Sequence, residues 1–134
     1  MQSKADQVSG TDEESIETPR LMRFSYRSEY AHPGDQEVLR AIGHSTWRNN
    51  QRFKITGQLT FENHSFVQVM EGTAEAVAIL SAAILSDPRH GRVVVDAYHE
   101  VDARSFADWR LIGFDEVMSL TEDQAEVQND ISPA

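Results

Sequence analysis

The chain has no cysteine. That excludes disulfides, thiolate metal sites and covalent haem attachment, and it excludes flavin photochemistry that proceeds through a cysteine adduct. Long apolar runs are missing as well: none approaches the roughly 20 residues that span a bilayer. The N-terminal stretch MQSKADQVSGTDEESIETP lacks the apolar segment of a signal peptide. A cytoplasmic protein without membrane association is the resulting expectation. There is no GxGxxG phosphate loop and no HExxH, and the five histidines follow no metal-ligand spacing. No metal site is expected, and the histidines other than His90 read as surface or capping residues. Gly43-His44-Ser45 lacks the flanking glycine pattern of a nucleophile elbow.

A basic excess is absent too, since the formal charge is −10. Residues 1–20 hold five acids against Lys4 and Arg20, and residues 115–134 hold six acids and no base. Removing both tails leaves 11 acids and 10 bases in residues 21–114, so the acidity belongs to the ends. Nucleic acid is therefore not expected as a partner of the whole chain. The composition of residues 1–19 reads as a disordered acidic leader and that of 116–134 as an acidic tail with one weak helix around Thr121–Val127.

What remains, residues 20–115, is the length of one domain, and 40% of the chain is hydrophobic. Met22, Phe24, Tyr26 and Ser28 share one face of a strand. His32-Pro33-Gly34 marks a turn, after which Asp35 can cap a helix carrying Val38, Leu39 and Ile42 to about Asn50. A strand from Ile55 to Phe61 and a returning strand from Phe66 to Glu71 flank a short loop at Glu62-Asn63-His64-Ser65. A second helix buries Val77, Leu80 and Ile84 and stops at Asp87-Pro88. Strands from Arg92 to about Val101 and near Trp109 to Phe114 complete the order β-α-β-β-α-β-β. The expected fold is α+β and ferredoxin-like: a five-stranded mixed sheet with two helices on one face.

Three residues do not suit a plain core. Tyr26 and Gln68 lie mid-strand on faces otherwise made of Met and Phe, and Asn50 lies on the helical face of Leu39, Ile42 and Thr46. Buried without partners, such groups cost on the order of 1–3 kcal/mol each. Backbone or water could satisfy any one of them; for all three together, a polar ligand between helices and sheet is the better explanation. A planar heterocycle with donors and acceptors along one edge suits them.

The runs Tyr26-Arg27-Ser28, Arg48-Asn49-Asn50, Ile55-Thr56-Gly57, Phe66 to Gly72, Asp87-Pro88-Arg89-His90 and Arg104 to Trp109 stand in order through residues 20–114. In sequence and spacing they resemble the BLUF family. The resemblance implies a blue-light photoreceptor, not an enzyme, that binds FAD noncovalently with the isoalloxazine ring between the two helices; FMN or riboflavin stay open, because the ring makes most of the contacts. It further implies that Tyr26 is the redox-active tyrosine, giving an electron and a proton on illumination, and that Gln68 is the amide whose hydrogen bonds rearrange. Asn49 and Asn50 then belong to the flavin-binding asparagine run, Arg89 and His90 approach the pyrimidine side, Ile42 packs on the ring face, and Ser28 is a polar neighbour. Trp109 joins the photoactive set, on the path of the output.

Departures from the family pattern are visible. Leu111 stands where a methionine is usual two residues after the tryptophan, one residue is added before Gly113-Phe114, and Lys54 stands where glycine is common. Gln58 and Thr60 make their strand unusually polar and are expected on the exposed side of the sheet. With no attached enzyme in view, output is expected to reach a separate protein partner or a homo-oligomer. The competing reading is a BLUF-like interaction module that has lost flavin binding or photoswitching. An acylphosphatase-type hydrolase is disfavoured, because Arg48 and Asn50 do not form the phosphate loop it needs.

Overall fold

The computed structural model describes residues 19–119. The expected leader up to residue 18 and the weak helix around Thr121–Val127 lie outside these described residues. In chain order the elements are β1 (Leu21–Tyr30), α1 (Gln36–Arg52), β2 (Thr56–Glu62), β3 (Ser65–Thr73), α2 (Ala74–Leu85), β4 (His90–Val101), β5 (Trp109–Ile112) and a short turn α3 (Phe114–Ser119). The sheet runs β4-β1-β3-β2-β5; every neighbouring pair is antiparallel except β2 with β5. This is the expected ferredoxin-like frame with a parallel fifth strand added beside β2.

Local chemistry explains the element boundaries. The Asp35 carboxylate accepts hydrogen bonds from the amides of Glu37 and Val38 at the start of α1, satisfying donors that the helix cannot pair internally. Thr73 Oγ1 does the same for Ala76 at the start of α2. Helix α2 ends at Leu85, just before Asp87-Pro88. Strand β5 ends earlier than expected, at Ile112, because the φ of +104° at Gly113 leaves the extended region; a Cβ there would lie 2.0 Å from the carbonyl oxygen of Phe61, so only glycine fits. Beyond it, Asp115 to Met118 have φ between 47° and 57°, so α3 winds left-handed. The expected domain edge at residue 115 falls inside this turn, and Val117 beyond it is buried against Leu39, Leu59 and Phe61.

Two apolar clusters fill the space between helices and sheet. One gathers Phe24, Ile55, Met70, Val77 and Leu80 under α2; the other gathers Tyr30, Leu39, Ile42, Leu59, Phe61 and Phe66 under α1. Burying each large side chain contributes about 1.5–3 kcal/mol relative to exposure. The two helices make little direct contact with each other, so a seam remains between the clusters. Among the described residues no helix is long and apolar enough to cross a membrane.

Lys54 supplies a physical reason for glycine at that position. It follows the helix cap Phe53, donates its amide to the Gln51 carbonyl, and has φ of +58°, the left-handed conformation that closes a helix. A side chain with a Cβ is strained there by about 1 kcal/mol. Lys54→Gly is expected to raise the unfolding free energy by about that amount, measured as a higher urea midpoint; a lowered midpoint contradicts it.

Candidate functional site

The seam holds the polar side chains that the apolar pattern did not explain. On β1 the helix-facing residues run Phe24, Tyr26, Ser28, Tyr30, and on β3 they run Phe66, Gln68, Met70, all buried. Tyr26 and Gln68 are direct cross-strand partners. The phenol of Tyr26 donates to Gln68 Oε1 at 2.6 Å. Asn50, buried on the stripe that carries Leu39 and Ile42, reaches the same space from α1. Together they line a cleft with about 140 Å³ of void, walled by α1 on one side and by Leu80, Ala83 and Ile84 of α2 on the other.

Gln68 Nε2 and Asn50 Nδ2 are buried with no hydrogen-bond partner. Two orphaned amide donors cost about 2–6 kcal/mol together, a large share of the about 5–15 kcal/mol that holds a domain folded. Their placement on one cleft fits a ligand that offers acceptor atoms along an edge. The donor set, amides facing a gap between a mostly polar α1 side and the apolar Leu80, Ala83 and Ile84 of α2, suits the rim of a flavin ring. Among the described residues no group of three or more His, Cys, Asp and Glu is placed to hold a metal.

Most of the residues implied by the resemblance meet at this cleft. Tyr26, Ile42, Asn49, Asn50, Gln68, Arg89 and His90 all line it. Ser28 stands behind, its hydroxyl 2.8 Å from Nδ1 of His90. Trp109 is not part of the lining; it packs against both apolar clusters at the start of β5, and its indole N–H is buried without a partner. Leu111 pairs with Leu59, which pairs with Gln68, which pairs with Tyr26. The unusual leucine therefore lies in the same transverse row as the tyrosine and glutamine, two strands from Gln68.

The cleft rim contains an ion pair that sequence reading missed. Asp87, read only as a helix stop, accepts from Arg89 Nε at 3.0 Å and from Nη2 at 2.7 Å, and its Oδ1 accepts the Arg89 amide. The signal available in sequence was the Asp-Pro-Arg turn, where an aspartate commonly accepts the amide two residues on. Partial burial would raise the Asp87 carboxyl, but the hydrogen bonds and charge of Arg89 outweigh it and hold the group below the usual carboxylate range. Burial, reinforced by the Asp87 charge, pushes the Tyr26 phenol far above its ordinary value. Tyr26 is thus a fixed donor at neutral pH. The His90 ring meets Tyr26 and Phe66 edge-on or tilted, with centroids 5.8 Å and 4.9 Å away. Desolvation lowers its pKa, Asp87 opposes, and Arg89 adds to the lowering.

Comparison with known proteins matches the same region. The family model for BLUF, described as sensors of blue-light using FAD, matches residues 21–112. The chain is 34% identical over 102 residues to photoactivated adenylate cyclase subunit beta of Euglena longa, covering 75% of this chain and 12% of that protein. It is 33% identical over 114 residues to the blue light- and temperature-regulated antirepressor BluF of Escherichia coli K12, covering 78% of this chain and 28% of that one. The chain thus spans only a minor part of these curated relatives. Among solved structures, the dark state of the BLUF protein BlrB superposes with a TM-score of 0.65 at 27% identity, covering 86% of this chain and 97% of that one.

The histidine gives a pH dependence whose sign is fixed. With its folded pKa depressed, His90 stays neutral in the native state while the unfolded chain takes up a proton below about pH 6.5. Stability from this group is therefore complete above that value and declines as pH falls toward the folded pKa. The melting temperature should drop between about pH 7.5 and 5.5, and His90→Gln should make the drop shallower. An unchanged slope contradicts a buried neutral His90.

Proposed function

The chain belongs to the BLUF family, sensors of blue light using FAD, and on that premise we propose that it is a blue-light photoreceptor holding FAD noncovalently in the cleft between α1 and α2. The observation that carries this reading is the pair of buried amide donors, Gln68 Nε2 and Asn50 Nδ2, left unpaired beside the Tyr26–Gln68 hydrogen bond. Asn49 and Asn50 hold the polar edge of the ring, Arg89 and His90 approach it from the turn after α2, Ile42 packs on its face, and Ser28 steadies His90 through Nδ1.

A bound flavin supplies blue absorption and, once excited, a strong oxidant. Tyr26 is the electron and proton donor. Its phenol carries its proton at neutral pH as any tyrosine does, and burial disfavours the phenolate further. With a flavin held there, Tyr26 would give it an electron and a proton that both return afterwards, and Gln68 Oε1 is the acceptor its hydroxyl already meets. Gln68 is the switching element because an amide has both an acceptor and a donor end. In the present arrangement the oxygen faces the phenol and the nitrogen has no partner. Rotation about the last side-chain torsion, or tautomerisation, exchanges which end meets each neighbour. Two hydrogen-bond patterns then compete, and light biases the balance between them.

Trp109 and Leu111 carry the change outward, since β5 lies beside β2 and the row from Tyr26 through Gln68 and Leu59 ends at Leu111. The receiver is a separate protein or a second copy of the chain. Val67 and Val94, at 44% and 45% exposure on the sheet face away from the helices, support that surface as the contact.

Purified protein should be yellow, and blue light should shift its absorption slightly to the red with recovery in the dark. Gln68→Leu should keep the colour and lose the shift. A colourless preparation that ignores added FAD favours an interaction module without flavin. A Gln68→Leu variant that photocycles normally contradicts the role given to Gln68.

A further inference from the structure

Strand alternation turns Gln68 and Met70 toward the helices and Glu71 toward the opposite face. A carboxylate there would ordinarily meet water. Glu71 is instead 0% exposed. The connection between β4 and β5, residues 102–108, folds across it.

The hydrogen bonds of this carboxylate are accounted for on both oxygens. Oε1 accepts the backbone amides of Ser105 at 2.7 Å and Phe106 at 3.1 Å. Oε2 accepts Nε of Arg23 at 2.8 Å and faces its Nη2 at 2.7 Å. That same Nη2 donates to Ser105 Oγ at 2.6 Å. Arg104 completes the junction, donating to the Glu71 carbonyl at 3.0 Å and to Thr56 Oγ1 at 2.9 Å. Arg23, Glu71 and Thr56 are cross-strand partners in one transverse row of β1, β3 and β2. The row lies three residues along β3 from Gln68, about 10 Å. The connection is thus fastened by charged hydrogen bonds to β1, β3 and β2, the first two of which carry Tyr26 and Gln68.

What the connection leads into is weakly held by itself. β5 has four residues, lies at the sheet edge and pairs in parallel with β2 alone. It opens with Trp109, and the preceding Asp108 carbonyl accepts the amide of Gly57. We propose that the Glu71 carboxylate, with Arg23 and Arg104, is a latch that fixes the β4–β5 connection to β3 and so sets where Trp109 and Leu111 stand relative to Gln68. A shift of the β3 backbone at Gln68 reaches β5 by two routes: through the β2 ladder and through this latch. Glu71 is a positioning residue; its part in signalling rests on the photoreceptor reading above.

The test is hydrogen exchange on the full chain loaded with FAD, in the dark and under blue light, with absorption recorded in parallel. Arg104→Ala is the main variant, because it leaves the Glu71–Arg23 pair intact; Glu71→Gln is the second. Both should keep the dark spectrum and the red shift, which report on Tyr26 and Gln68. Arg104→Ala should speed exchange in residues 105–112 at least about tenfold in the dark, with β1 and β3 unchanged. The light-dependent change at residues 109–112 of the wild type should largely disappear. Wild-type exchange rates in 105–112, or a rise spread evenly over the sheet, overturn the latch. A wild-type protein that takes up FAD but shows no red shift overturns the photoreceptor reading, whereas a wild-type shift without a light-dependent change in β5 overturns only the relay.

Discussion

The hydrogen bond between Tyr26 and Gln68 organises this molecule. It joins neighbouring strands at the floor of the cleft, and it occupies the acceptor end of an amide while leaving the donor end bare. A buried donor without a partner is a liability in a domain of marginal stability. The helices α1 and α2 make little direct contact over the seam, and Asn50 adds a second bare donor from the helix side. Two bare donors facing one cleft are the feature on which the proposed planar ligand, with acceptors along its edge, rests.

The environment of that bond selects its chemistry. Burial disfavours the Tyr26 phenolate, Arg89 pairs with Asp87 at the rim, and desolvation lowers the pKa of His90 beside them. The same sheet links the bond to the surface on both sides. One row carries it through Leu59 to Leu111, and the row of Arg23, Glu71 and Thr56 ties the β4–β5 connection to the strand that holds Gln68. Leucine at position 111 fills the end of its row with branched hydrocarbon where the family usually has a flexible thioether, so the contact is stiffer and less polarizable.

Much of this was legible in the sequence because the relevant signals are local. Period-two alternation put Tyr26 and Gln68 on buried faces, helical spacing put Asn50 beside Leu39 and Ile42, and Asp35 and Pro88 marked helix limits. Gln58 and Thr60 were expected on the exposed side of the sheet and are half-buried there. What was not legible depends on distant approach. Alternation would leave Glu71 in water, and Arg23 together with a connection more than 30 residues later in the chain pairs with its carboxylate. The early end of β5 goes with the positive φ of Gly113, and the burial of Val117 follows from a turn that no periodicity announced. Lys54 departs in residue type while keeping a left-handed backbone that suits glycine, which composition does not show.

The most direct measurement is a crystal structure of the flavin-loaded protein in the dark. The expected result is a flavin ring in the cleft between α1 and α2, with both Gln68 Nε2 and Asn50 Nδ2 donating to its acceptor atoms. Those two donors satisfied by water or by other protein groups, with flavin elsewhere or not retained, would contradict the central claim.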